Sequence, residues 1–280
     1  MASTQTSFTT EDFEIANAPK PVVLRLFRPA GDGVFPVVVN LHGGAWTKGD
    51  FTECRPRDEA IAHAGIASAA LDFRHGADGY PTSLIDINFA IRWVRANAQR
   101  LNLDPARIGI AGQSSGGHLA MLAAMRPEEP RYRERSAGDD NATVACVAMT
   151  WPVINPLSRY RHALRLRNSD NPPGWTADIP ERHDTYWATE MNMSEGNPLL
   201  ALERGEAVRT PPALWIQGTP DPIHDYRDPE SAIEGNEPER FAARYREAGG
   251  TLELVYIEQE DRATNSLAPL TDFLRAQLKP

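Results

Sequence analysis

The chain predicts an α/β protein with a mostly parallel sheet, and three observations carry that prediction. Short apolar runs alternate with helix-patterned segments along its length. A glycine-flanked serine, Gly112-Gln113-Ser114-Ser115-Gly116, stands where one such run meets one such helix. A second glycine-rich turn, His42-Gly43-Gly44-Ala45-Trp46, follows another apolar run about seventy residues earlier. Strands alternating with helices imply parallel pairing, with helices over both faces of the sheet. Ligands then bind at the carboxyl ends of the strands, where Gly43, Ser114 and Asp221 fall. The 280 residues suit one domain with an insertion, not two independent ones.

In chain order, Val22-Val23-Leu24-Arg25-Leu26-Phe27 predicts an antiparallel strand, and Gly31-Asp32-Gly33 a turn. Val37-Val38-Val39-Asn40-Leu41 reads as a fully buried strand. A helix over 57–63 leads to a strand beginning at Ala67. A helix over 82–98 sets Leu84, Ile87, Ala90, Ile91 and Val94 on one face. Arg107-Ile108-Gly109-Ile110-Ala111 is the strand before Ser114, and 117–124 the helix after it. The charged, proline-containing stretch 127–141 reads as a surface loop. Strands follow at 144–149, 213–217 and 252–256, with helices over 237–248 and 267–278. Residues 151–206 are the irregular part, with Pro152, Pro156, Pro172, Pro173 and Pro180 among them.

The serine turn carries the chemistry. In a G-x-S-x-G elbow the serine occupies a strained strand-to-helix turn, and flanking glycines let the backbones cross closely. The following helix points its first N–H groups at the serine oxygen, where negative charge develops. The turn after 37–41 adds to this. An H-G-G-x loop there supplies the rest of an oxyanion hole, because glycine lets backbone N–H groups approach the substrate oxygen. Gly43, Gly44 and Ser115 are the donors expected.

With these residues in view, the chain resembles the α/β-hydrolases of the esterase/lipase kind. It is nearest the hormone-sensitive-lipase and kynurenine-formamidase-like branches, which carry H-G-G-x-W or H-G-G-G. The resemblance extends to Asp72-Phe73-Arg74 at the end of the fourth strand, to Tyr80-Pro81 and Asp86, and to Asp104-Pro105-Ala106-Arg107-Ile108. It implies an eight-stranded α/β-hydrolase sheet, with 152–206 as a cap or insertion in a single domain over 1–280. It also places the triad acid. Gly218-Thr219-Pro220-Asp221-Pro222 resembles the family's strand-seven motif, which assigns the acid to Asp221.

The family's histidine, expected after the eighth strand, is not found. Read in register from Tyr256, Arg262 stands in its place, and no histidine follows His224. Arginine stays protonated at working pH and cannot be a general base. His224 is the surrogate to consider, because it shares a loop with Asp221. Arg262 could pair with Asp221 or hold an anionic group of a substrate. His42 belongs to the oxyanion loop, His118 should serve structure within the elbow helix, and His183 reads as a surface residue.

Two functional readings follow. One is a serine carboxylic ester hydrolase, acting on an ester, lactone or amide, with Ser114 as nucleophile, Asp221 orienting a base, and an incomplete triad. The other is a non-hydrolytic descendant: a small-molecule binder, or a lyase or isomerase using the oxyanion hole. The basic run Arg159 to Arg167 either attracts acidic substrates or is a solvated helix face. Met191, Met193 and Trp187 either line an acyl pocket or belong to the core.

Composition bounds the rest. A net charge of −9 argues against nucleic-acid or anionic-membrane partners. A small-molecule substrate is expected, with no metal or other cofactor, and the oligomeric state is open, a homo-oligomer included. Cys54 and Cys146, the latter in a strand, read as free thiols of a reducing compartment. Residues 1–12 are polar, so no secretory leader is expected, and no apolar run approaches membrane-spanning length. A cytoplasmic enzyme is the reading that results.

Overall fold

Alternating side chains of one central strand feed two separate cores. The computed structural model describes residues 7–17, 20–232 and 234–279. The first six residues, part of the stretch read as lacking a leader, lie outside them. In β3 (Phe35–Leu41), Val37 and Val39 point into the larger core and Val38 into the smaller one. Both faces are therefore covered, and the strand can be apolar almost throughout.

The eight strands are β1 (Phe8–Ala16), β2 (Val22–Pro29), β3, β4 (Ala67–Asp72), β5 (Leu103–Gln113), β6 (Val147–Thr150), β7 (Ala213–Thr219) and β8 (Leu252–Glu258). They lie in the order β1-β2-β4-β3-β5-β6-β7-β8. The β1–β2 and β2–β4 pairings are antiparallel and the other five parallel. This is the mostly parallel sheet that the sequence predicts. The order reverses around β3 and β5, so the loops after these strands open side by side. The oxyanion loop and the serine turn are those loops.

The helices are α1 (Arg55–His63), α2 (Thr82–Ala96), α3 (Ser115–Met125), α4 (Pro156–Arg167), α5 (Ile179–Trp187), α6 (Glu190–Glu195), α7 (Pro198–Glu203), α8 (Glu237–Glu247), α9 (Arg262–Asn265) and α10 (Leu267–Gln277). Leu84, Ile87, Ala90, Ile91 and Val94 of α2 are all fully buried in the larger core. Arg74, just past β4, donates to both carboxylate oxygens of Asp86 on α2 at 2.9 Å. That two-pronged buried pair ties the end of β4 to the helix that covers it. On the opposite face, Ile61 of α1 joins Leu270 and Leu274 of α10 over Val38, Ala111, Ala148 and Ile216.

Four elements differ from expectation. The edge strand β1 was not foreseen, because most of its side chains are exposed and polar. The stretch 127–141 holds a short turn of helix, Pro130–Arg133, that buries Tyr132 completely. The sixth strand begins at Val147, so Cys146 precedes it and is not part of it. The segment 151–206 is largely helical, holding α4 to α7. Cys54 and Cys146 are both buried free thiols, which burial pushes up to about 11 and about 12. Among the described residues no helix is long and apolar enough to cross a membrane.

Candidate active site

Ser114 stands between β5 and α3 with φ 52° and ψ −119°, a backbone region that L residues rarely occupy. The strain persists because the neighbours over-determine it. Ser114 N–H donates to Thr150 O at 2.9 Å, and Ser114 O accepts from His118 N–H at 3.1 Å and Val153 N–H at 3.2 Å. The glycines are needed for close approach. A Cβ on Gly112 would lie 2.2 Å from Gly116 O, and one on Gly116 would lie 2.2 Å from His42 O. The serine turn is thus pressed against the oxyanion loop.

That loop is held in an unusual conformation too. Gly44 has φ 110° and accepts from Thr47 and Lys48 N–H at 3.1 Å, and Ala45 and Trp46 follow in the left-handed region. Trp46 anchors it. Its indole N–H donates to His118 Nδ1 at 3.2 Å, and His118 Nε2–H donates to Gly196 O at 2.8 Å. The Trp46 ring also meets His183, Tyr186 and Trp187. Gly43 is set against Ser114, since a Cβ there would lie 3.4 Å from Ser114 Cβ. Among the described residues, the N–H groups of Gly43, Gly44 and Ser115 meet no protein acceptor. His42 itself is buried, stacked on Phe73 at 4.4 Å, and pushed down to about 4 by burial. It is therefore neutral, with Nδ1–H donating to Gly43 O at 2.8 Å.

The structure brings His224 to Ser114. Its Nε2 lies 3.1 Å from Ser114 Oγ, and its Nδ1 lies 2.8 Å from Asp221 Oδ2. A carboxylate only accepts, so the proton sits on Nδ1 and Nε2 is free to accept from the serine hydroxyl. One tight turn suffices. Asp221 O accepts from His224 N–H at 3.2 Å and from Asp225 N–H at 2.7 Å, which folds residue 224 back beside residue 221. Three residues are thus enough to set acid and base in line. The family's histidine position after β8 holds Arg262, and a histidine from β7's own loop stands between Ser114 and Asp221 instead.

Arg262, at the start of α9, donates to Asp221 Oδ2 at 2.8 Å. Its guanidinium also lies over the Trp151 ring, 4.4 Å from the centroid. Burial pushes the Asp221 carboxyl up, but the His224 hydrogen bond and the His224 and Arg262 charges outweigh it and hold the group below its ordinary value. Burial pushes His224 down to about 4, against the pull of Asp221, and Arg159 and Arg262 add to the fall. The imidazole is therefore neutral at neutral pH, as a base must be.

Other expected positions are corrected. His183 is fully buried, not on the surface, with Nδ1–H donating to Ile179 O at 2.8 Å. Trp187 and Met193 belong to the core, while Met191 is exposed. The basic run divides. Arg161, Arg165 and Arg167 make surface ion pairs with Glu190, Glu230 and Glu181, whereas Arg159 is buried. Trp151, with φ 37° and its ring under the Arg262 guanidinium, was not among the candidate site residues, whereas Arg159 was considered only as part of the basic run. Proximity of 151 to strand β6's end was the one signal for the former. A small cavity of about 10 Å³ is lined by His224 together with Asn155, Tyr226 and Glu237. An open groove of about 1110 Å³ lies elsewhere, lined by Arg126, Glu195 and Arg209 among others, none of them part of the Ser114 site. Among the described residues no group of three or more His, Cys, Asp or Glu side chains could hold a metal ion.

Comparison with known proteins adds a family. The model of the family described as BD-FAE matches residues 24–175. A probable carboxylic ester hydrolase of Mycobacterium tuberculosis, LipM, is 35% identical over 117 residues, covering 41% of this chain and 27% of LipM. The carboxylic ester hydrolase LipN of the same organism is 28% identical over 268 residues, covering 92% of this chain and 64% of LipN. The chain thus spans less than two thirds of either relative. Among solved structures, EstE1, a thermophilic carboxylesterase cloned from a metagenomic library, superposes with a TM-score of 0.75 at 22% identity, covering 100% of this chain and 92% of EstE1. That likeness establishes the α/β-hydrolase fold.

Proposed function

The chain belongs to the BD-FAE family, and from that membership we propose that it is a serine carboxylic ester hydrolase acting on a small-molecule ester. The observation that carries the reading is the hydrogen-bonded line Ser114–His224–Asp221 beside three unengaged N–H groups. As Ser114 Oγ bonds to the carbonyl carbon, its proton passes to His224 Nε2, and Asp221 stabilises the imidazolium. The N–H groups of Gly43, Gly44 and Ser115 receive the oxyanion. Collapse breaks the bond to the alcohol, which leaves with the His224 proton. Water then attacks the acyl-serine, giving its proton to His224, and Ser114 is regenerated as the acid departs.

The non-hydrolytic reading rested on a missing base, and His224 within reach of Ser114 argues against it. Residues 152–206 serve in this reading as the cap, because α5 packs against the oxyanion loop through Trp46. Two buried free thiols support a cytoplasmic location.

The test uses p-nitrophenyl butyrate and an organophosphonate label. Wild type should turn over and label on Ser114. Ser114→Ala should do neither, and His224→Ala should lose on the order of 10⁴-fold or more in kcat. Label on Ser115, or turnover surviving in Ser114→Ala, would refute the assignment.

A further inference from the structure

Arg159 is a charged side chain that the fold buries without a direct ion pair among the described residues, the Asp221 charge reaching it only at longer range. It is only 4% exposed, and its Nε and Nη1 atoms meet no hydrogen-bond partner. Its neighbours on α4 are all satisfied: Arg161, Arg165 and Arg167 each reach a glutamate at 2.9 Å or less. Arg159 instead lies over Trp175, with Cζ 5.3 Å from the ring centroid. Stacking of this kind holds the guanidinium by its face and leaves the N–H groups at its edge free.

The helix that carries Arg159 packs against the catalytic turn. Tyr226, two residues after His224, donates to Ser158 Oγ at 3.2 Å and stacks on His162 at 4.0 Å. The Arg159 charge is felt at both His224 and Asp221. Burial lowers the guanidinium to about 10, so it is still a cation at neutral pH. A buried cation with no hydrogen-bonded counter-ion is costly, and an anion bound from outside would offset that cost.

We propose that Arg159 receives a carboxylate of the substrate, so that the ester cleaved at Ser114 carries a second, anionic end. This rests on the ester hydrolase reading and narrows it to carboxylate-bearing esters. Arg is suited to the task because its fork matches both carboxylate oxygens.

Matched ester pairs test it. Mono-p-nitrophenyl succinate against p-nitrophenyl butyrate places the carboxylate on the acyl side; p-acetoxybenzoate against its methyl ester places it on the alcohol side. The charged member of one pair should show at least about tenfold higher kcat/KM, mainly through KM. Arg159→Met should bring that pair to near parity, and Arg159→Lys should keep part of the preference. The ratio within a pair cancels any effect of the substitution on His224. A preference that survives Arg159→Met, or none in either pair, overturns the proposal. If Arg159→Met does not fold, Arg159→Gln and Arg159→Lys carry the same comparison.

If wild type cleaves none of the four esters, the hydrolase reading fails and the anion site is judged by binding alone. Ser114→Ala is then titrated calorimetrically with monomethyl and dimethyl succinate. Binding of the monoester only, lost on adding Arg159→Met, upholds the site. Equal binding of both, or of neither, overturns it.

Discussion

At Asp221 three donors converge on one carboxylate oxygen, His224 and Arg262 each at 2.8 Å and Gln217 at 3.4 Å. The arginine fixes the carboxylate as an anion, and its charge also opposes formation of the imidazolium beside it. The two effects pull catalysis in opposite directions. His224 acts as a base only when neutral, and burial lowers it to about 4, so the acid limb of kcat/KM should lie well below 6.5. Arg262→Met removes a cation from its surroundings. The His224 pKa should then rise and the acid limb move to higher pH, with kcat changed by about tenfold or less, since Arg262 makes no direct contact with the base's Nε2. A pH profile of kcat/KM for both proteins checks the direction. A limb that moves to lower pH would mean that Arg262 acts chiefly through loop position. Arg262→His should bring no gain, because the place of the base is already taken.

The serine turn is an element with little packing tolerance. A Cβ at residue 116 would enter the backbone at His42 O, and no flexible side chain stands there to give way. Gly116→Ala should therefore cost at least about 3 kcal/mol, or prevent folding. Urea unfolding measures it, and a soluble variant with wild-type stability would show that the two loops can separate. This turn was legible because its glycines, serine and flanking apolar runs all point one way. The long interior strands were legible for the same reason. β1 was not, since an exposed edge strand has no buried face to impose a pattern. The helices of 151–206 were obscured by proline. Pro156 and Pro198 sit in first helical turns behind Asn155 and Asn197, whose side chains cap Ser158 and Leu200 N–H at 3.0 Å. Proline there starts a helix and costs no hydrogen bond. His224 was visible as a candidate only through its closeness to Asp221. What sequence could not supply was the turn that folds it back. His183 was misplaced because one polar residue in a short amphipathic stretch gives no sign of which side it faces.

Across the whole molecule, buried histidines set how stability responds to acid. Burial pushes His42, His118 and His224 down to about 4 and His183 to about 3. Each is neutral in the folded state and takes up a proton on unfolding below about 6.5. Their contribution is fully present above the unfolded value and is lost as pH falls toward the folded one. Buried carboxyls work the other way. Asp58 is raised to about 6 and Glu237 to about 7, so the folded state keeps their protons where the unfolded state releases them. Asp72 and Asp225 are raised as well. These four histidines, with the half-buried His162 lowered in the same direction, against these carboxyls leave the unfolded chain ahead by roughly two protons near pH 5. Stability should then fall by on the order of 2 kcal/mol between pH 6.5 and pH 5. Above pH 7 the histidines no longer titrate, while Glu237 and, toward about pH 9, the buried thiols Cys54 and Cys146 oppose, so the optimum should sit near neutrality. Urea midpoints at pH 5, 6.5 and 8 measure the curve, and His183→Phe, which removes one buried imidazole and keeps an aromatic ring against Trp46, should flatten its acid side. A midpoint that is higher at pH 5 than at pH 6.5 would mean that the carboxyls outweigh the histidines, and that the aromatic cluster around Trp46 and His183 admits a charge that its burial argues against.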